Sequence, residues 1–464
     1  MTGSKTASSY NDVGPAIRDY HDLIERAVDS ADHQLDLLHS LQVDRKVTFG
    51  GRPLAHSLRP VFLTEAAYQD VQDTVYLLRQ AILNIAEQFF NTREAIEILR
   101  LEPWELELTA IPTNVRRLAA TARMDAFMTA DSFKFVELNA ESPAGMGYVH
   151  HLAEIYRELP VFQEFTRRHP VRFVSPLEHL VAGLLRIYHE EFSGREALPS
   201  FAIVDHLNVP TYNEFLIVKE YLELRGMPCE ILDPREVECR DGWIYANGRK
   251  IDIVYRRLLM NEYRDVADEC APYLEGYVAQ KTCYLNSFRT KLVHKKSLFS
   301  LMTDLRFVGG LTDQQLGAIR DHIPWTRVLA DTQTAGFDWI EDGQSIDLLE
   351  FASRNRERLV IKPNDEYGGK DVVVGPAASD AEWHDAIERG LEGGYVVQQA
   401  VDINREDFLV RRNGSWVTEP TIVDLDPYLN GPLMGGCLTR TSTSALANVT
   451  TGGGTLPLFI LRYD

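Results

Sequence analysis

The sequence predicts a mixed α/β (α+β) protein of two or three domains. Three observations lead there. The chain has 464 residues, too many for one ordinary hydrophobic core. Over the first hundred or so positions its apolar residues recur at steps of three and four, the helical period. Further on they alternate or run together in short blocks, the pattern of strands, with a helix-period stretch set between two such blocks. A hydrophobic content of 45% with 25% charged residues is that of a globular chain.

Residues 1–112 read as mostly helical. The clearest helix runs from Thr64 to Asn91, where Tyr68, Val71, Val75, Leu78, Ile82, Ile85 and Phe89 form one stripe. Thr64 is placed to cap it, with Glu65 in the first turn. The stripe is read as packing. Pro103 and Pro112 bracket an irregular stretch.

Next comes RMDAFMTADSFKFVELNAESPAGMGY, Arg123 to Tyr148. It reads as strands Arg123–Thr129 and Phe133–Asn139 around a three-residue turn. Alternation places Arg123, Asp125 and Phe127 on one face, and Phe133, Phe135, Glu137 and Asn139 together on one face. A three-residue loop sets Asp125 opposite Glu137 and Arg123 opposite Asn139. Facing carboxylates destabilise a sheet unless a cation sits between them, and two carboxylates with an amide oxygen suit Mg²⁺. A solvated hairpin face is the plainer alternative. The small-residue loop Ser142 to Gly147 allows close backbone approach to a ligand, or simply turns into the next helix. Helices are expected over His150–Leu159 and Pro176–Phe192.

From Leu198 the pattern changes. Phe201–Val204, Pro228–Leu232 and Ile251–Tyr255 read as strands, Asn213–Arg225 as a helix, and residues 238–250 as a polar hairpin. This is a small α/β unit without the GxGxxG turn of a dinucleotide site.

The remaining stretch carries three spaced features. Lys295 and Lys296 open an apolar helix. Leu359 to Gly375 is a strand ending at Lys362, a loop with Gly368 and Gly369, and a second strand. Gly394 to Val401 is a strand with a polar edge at Gln398 and Gln399. Glycines free backbone N–H groups to wrap a phosphate, and lysines supply charge. A strand-to-loop junction such as that at Val401 can hold an adenine ring. No Walker A loop and no kinase signature is present. Arg440 follows an apparent short strand, and the loop Asn448 to Gly454 either binds an anion or lies free on the surface.

A net charge of −20 excludes a typical nucleic-acid binder and is compatible with a cationic substrate. Five cysteines without CxxC spacing fit a reducing compartment. No secretory signal and no run of membrane-spanning length is seen, so a cytoplasmic location without membrane association is expected.

Together, Arg123-Met-Asp125, Glu137-Leu-Asn139-Ala-Glu-Ser-Pro143, Lys296, the Lys362-Pro strand with Gly369, Gln398 and Arg440 resemble the ATP-grasp ligases. The likeness is to the circularly permuted group exemplified by the synthetase domain of glutathionylspermidine synthase. It covers about residues 113–445. It departs at Glu141, where the family usually has Asp, in the glycine loop Asp-Glu-Tyr-Gly-Gly, and at Gln399, which stands where the family has an acid.

The resemblance implies an ATP-grasp fold with four parts. These are a helical N-terminal region (1–112), a metal-binding part (113–195), an α/β preATP-grasp-like substrate subdomain (196–285) and a nucleotide-binding part (286–464). It implies that Asp125, Glu137 and Asn139 hold Mg²⁺ and that Lys296, Lys362, Gly368, Gly369, Gln398, Gln399 and Val401 bind ATP. Lys295 and Lys296 compete for the first of these positions. Arg123 and Arg440 would act on the reacting groups, and Ser142, Ala144 and Gly145 would line the acyl site. The expected reaction joins a small-molecule carboxylate to an amine at the cost of ATP, with an amino acid, short peptide or polyamine as substrate. A phosphotransferase or a non-catalytic nucleotide-binding scaffold are the alternatives. Oligomeric state is not legible.

Overall fold

A computed structural model of the chain describes residues 13–26, 28–192, 194–335, 344–366, 368–443 and 453–462. Its main sheet draws strands from widely separated parts of the sequence. Their order is Arg405–Arg412, Ser415–Val423, Leu433–Ser442, Asp426–Asn430, Thr121–Met128 and Phe133–Asn139, with Gly454–Leu456 beside Leu433–Ser442. All neighbours are antiparallel. Arg440 lies inside the ten-residue strand Leu433–Ser442, not after a short one.

The hairpin Thr121–Asn139 has both predicted pairs, Asp125 opposite Glu137 and Arg123 opposite Asn139. Two departures from the expected geometry cancel to produce them. The loop has four residues, so Met128 rather than Thr129 faces Phe133. Val136 then bulges between Phe135, which faces Ala126, and Glu137, which faces Asp125. One extra residue turns the strand's faces over. Phe133 and Phe135 therefore do not share a face with Glu137 and Asn139, as alternation had predicted. Both rings are fully buried. Each contributes about 1.5–3 kcal/mol by leaving water, which fixes where the bulge must fall.

A second antiparallel sheet runs Thr326–Val328, Tyr395–Gln399, Leu359–Pro363, Val373–Val374. Leu359, Ile361 and Val397 are buried in the main core with Trp325 and Trp383. Val360 and Lys362 alternate to the opposite face and look into a cleft.

The α/β unit is a parallel sheet of order Cys283–Leu285, Ile253–Arg256, Phe201–Val204, Cys229–Leu232, with the helix Tyr212–Glu223 following its first strand. Its faces alternate as buried strands require. Phe201, Ile203, Ile253 and Tyr255 join the main core, while Ala202, Val204 and Val254 join a second core with Tyr263, Tyr273, Tyr277 and Phe288. Residues 238–250 form three short strands rather than a simple hairpin.

The long helix spans Glu65–Phe89 and buries the predicted stripe except for Phe89, which is partly exposed. The Thr64 side chain accepts from the Ala67 N–H at 3.1 Å, the expected cap. Leu458–Leu461 inserts between Val61–Thr64, parallel, and Val171–Arg172, antiparallel. All five cysteines are free. Among the described residues no helix is long and apolar enough to cross a membrane.

Candidate active site

The two antiparallel sheets enclose a cleft of about 550 Å³. It brings together Asp125, Glu137, Lys296, Lys362, Gly368, Gly369, Gln398, Gln399, Val401 and Arg440. Gly368 and Gly369 both have the left-handed backbone, φ 71° and 73°, which glycine adopts without strain. Gln398 is buried, and its amide donates to Thr326 at 2.8 Å.

Charges in the cleft are paired across the sheets. Lys296 Nζ lies 3.3 Å from Glu137 and donates to the Glu366 carbonyl at 2.6 Å. Lys362 Nζ donates at 2.9 Å to the carbonyl of Val136, the bulged residue. The bulge thus supplies an acceptor as well as a change of face. Burial works against the Glu137 carboxylate, but Lys296 and Lys362 outweigh it and hold the group well below the usual range. Burial draws the Lys362 ammonium down to about 7, with Glu137 opposing that shift and Lys296 adding to it.

A second group is built around Arg440. Its Nη2 donates to Asp125 at 2.8 Å and stands 3.0 Å from Asp426, and its Nε donates to Asp424 at 2.6 Å. Arg123 grips Asp125 with two bonds of 2.7 and 2.8 Å. Three carboxyls therefore share two guanidiniums, leaving one acid in excess. Burial raises Asp424 to about 6 and pushes Asp426 well above the usual carboxyl range, Arg440 pulling both down. Asp426 is the acid best suited to stay protonated. Burial also opposes the Arg440 charge, but Asp424, Asp426 and Asp125 keep it firmly on.

Asp424 and Asp426 line the cleft and were not singled out from sequence. Their signal was present: two acids at alternate positions in an otherwise apolar run, Ile422-Val-Asp-Leu-Asp426. Asn286 was missed as well. Its amide donates at 2.8 Å to both the Thr121 and Ala140 carbonyls, stapling the open end of the hairpin.

Other expected residues stand away from the cleft. Arg123 reaches the Ala144 carbonyl at 3.0 Å, and Asn139 donates to Glu137 at 3.1 Å, but neither lines the cavity. Ser142, Ala144 and Gly145 do not line it either. The Gly145 N–H instead donates to Glu214 of the α/β unit at 2.7 Å. The two adjacent lysines stand in the turn just ahead of the short apolar helix Leu298–Met302, after the helix Lys291–His294. Lys296 faces the cleft, whereas Lys295 turns away and pairs with Glu105 at 2.6 Å. Glu141 is buried against Arg256 and Lys291, 3.2 and 3.1 Å away. Most of the loop Asn448 to Gly454 lies outside the described residues.

Asp125, Glu137 and Asn139 form a hard oxygen set on one side of the hairpin, which suits Mg²⁺ by donor chemistry. Asp125 is occupied by two guanidiniums, so a cation would take the place of Arg440 there, with Asp424 and Asp426 left to hold that side chain. Among the described residues no three His, Cys, Asp or Glu side chains are grouped to hold a metal ion by themselves.

No family model matches this chain. It is 25% identical to an uncharacterized protein of Mycobacterium tuberculosis over 349 residues, 71% of this chain and 58% of that one. An uncharacterized protein of Synechocystis is 22% identical over 347 residues, 70% of this chain and 66% of the relative. The chain thus spans little more than half of the mycobacterial protein. Among solved structures, a glutathione synthetase-like effector from Globodera pallida superposes with a TM-score of 0.59 at 13% identity, over 92% of this chain and 96% of that one. The fold is glutathione synthetase-like. The likeness is one of fold, and it extends over nearly the whole of both chains.

Proposed function

We propose that this protein is an ATP-dependent carboxylate–amine ligase that works through an acyl phosphate. The observation that carries this reading is the convergence of Glu137, Lys296, Lys362 and Arg440 on one cleft between two sheets. That arrangement supplies positive charge around a transferring phosphoryl group, next to an acid on a rigid hairpin. ATP would lie along the strand Tyr395–Gln399, its adenine near Gln399 and Val401 and its phosphates under Gly368 and Gly369.

A substrate carboxylate oxygen would attack the γ-phosphorus. The bond to the β-phosphate oxygen breaks, leaving ADP and an acyl phosphate. An amine then attacks the acyl carbon, expelling inorganic phosphate and forming an amide. Lys296, Lys362 and Arg440 offset charge spread over the equatorial oxygens. Mg²⁺ bound at Asp125, Glu137 and Asn139 would supply further charge neutralisation. Ser142, Ala144 and Gly145 act one layer back, because the Ala144 carbonyl orients Arg123. The α/β unit, tied to this loop through Glu214, is assigned to the acceptor substrate. The hairpin precedes the Lys362 strand by 226 positions, which supports the permuted order of the fold.

The decisive experiment measures ADP release against pools of amino acids, short peptides and polyamines. ADP formed only when carboxylate and amine are both present supports ligation. ADP formed with the carboxylate alone indicates a phosphotransferase, and no turnover with any pool favours a binding scaffold. Glu137→Ala is expected to abolish Mg²⁺-dependent turnover with an unchanged circular dichroism spectrum. A fully active variant would remove Glu137 from the metal set.

A further inference from the structure

A second cavity, of about 470 Å³, lies behind the same hairpin. Ala122 and Leu138 contribute to it, and they alternate with Arg123, Glu137 and Asn139, so it opens on the opposite face of the sheet from the cleft. Ile82 and Leu83 of the long helix, with Leu118, Leu138, Val293 and Leu429, form apolar walls. Arg79, Arg116 and Arg117 border it, with Glu191 as its one carboxylate.

Arg117 is ion-paired with Glu191. Arg79 is only partly exposed, yet it makes no hydrogen bond or ion pair among the described residues. Burial, and then the charge of Arg117, lower its proton affinity. Its nitrogens are not among the buried polar atoms that lack a partner, so the guanidinium keeps access to solvent, and Glu191 and Tyr76 favour its charge; it is open to an incoming anion. The rest of the chain points the same way. With a net charge of −20 the surface repels anions generally, so a cationic cluster beside an apolar hole stands out from its background. Ligand sites combine this range of volume with apolar walls and a few placed polar groups.

We propose that this cavity binds a small amphipathic anion, one anionic head on a compact apolar body, with Arg79 receiving the head and the helix and sheet residues enclosing the body. The proposal stands independently of the ligase reading, since no residue of the cleft takes part. An occupant would rest against the back of the strands that carry Asp125 and Glu137, which makes this an effector position for whatever chemistry the cleft performs.

The test uses the fluorescent sulfonate 8-anilinonaphthalene-1-sulfonate, with decanoate and decylamine as competitors. One saturable site is expected, displaced by decanoate and not by decylamine. Arg79→Gln should weaken probe binding about tenfold, the size of a lost charge-assisted hydrogen bond. Leu83→Trp should fill the cavity and abolish binding, which assigns the signal to this cavity rather than to the cleft. Thermal melting of each variant checks that it is folded, and Leu118→Trp replaces Leu83→Trp should the latter melt early. Equal displacement by decylamine, or wild-type binding in both the arginine and the tryptophan variants, would overturn the proposal. So would a wild-type dimer in sedimentation velocity that Leu83→Trp dissociates, since a second copy would then be the occupant.

Discussion

Lys362 offers a quantitative test of the cleft. Burial moves its ammonium from the ordinary value of 10.5 down to about 7. At about 1.36 kcal/mol per pH unit, the fold forfeits about 5 kcal/mol by keeping this side chain charged at low pH. Between pH 7 and 10.5 the unfolded chain binds the proton and the folded chain does not. Stability without nucleotide is therefore expected to rise with pH through that window. Nucleotide phosphates placed beside Lys362 would restore its charge, so ATP binding should take up a proton. Above pH 7.5, where ATP itself no longer titrates, affinity should fall by up to about tenfold per pH unit, or about 100-fold by pH 9.5. Isothermal titration in two buffers of different ionisation enthalpy measures both affinity and proton uptake. Lys362→Met should bind ATP weakly, without a pH slope and without proton uptake. A wild-type affinity that is flat from pH 7.5 to 9.5, or a slope that survives in Lys362→Met, would refute the placement of phosphate beside this lysine.

Three further outcomes are expected. Lys296→Ala should raise the KM for ATP, whereas Lys295→Ala should leave it unchanged and lower the melting temperature, because Lys295 pairs with buried Glu105; steady-state kinetics with differential scanning calorimetry separates them. Gly145→Ala places a Cβ 2.7 Å from the Tyr428 hydroxyl at a φ of 106°, a cost of about 1–3 kcal/mol in urea denaturation, part of which Tyr428→Phe should return. Asp424→Ala leaves the Arg440 Nε and backbone N–H without their acceptor, while Asp125 and Asp426 still balance its charge, and should destabilise by about 1–3 kcal/mol, with Asp424→Asn costing less, again read by urea denaturation.

Much of the architecture was legible locally. The Thr64 helix announced itself by period and cap, and Phe201–Val204 by four consecutive apolar residues. The hairpin register was also correct, though through a loop one residue longer than expected and a bulge that compensated for it. Neither is visible in a strict alternation, because the burial of Phe133 and Phe135 depends on what packs beneath them. The division of labour between Lys295 and Lys296 was out of reach for a similar reason. Adjacent positions differ only in where tertiary partners stand, here Glu105 on one side and Glu137 on the other. Asp424 and Asp426 were passed over because their partners, Asp125 and Arg440, meet them only once the main sheet is assembled. Cys283–Leu285 was not foreseen as a strand, since three residues are too few to set a period.

The main sheet also sets a timetable for biosynthesis. Thr121 bonds Asn430 across 309 positions of sequence. At translation rates of about 5–20 residues per second, the strand Thr121–Met128 leaves the ribosome roughly 15–60 s before its neighbour exists. During that interval both outer edges of the hairpin are open, including the one that Asp426–Asn430 later covers, and two phenylalanines lack their final cover. Such an edge invites pairing with the wrong chain. Holding factors that mask nascent strands, or slow codons placed after residue 139, would therefore change the yield of this protein without changing its final stability.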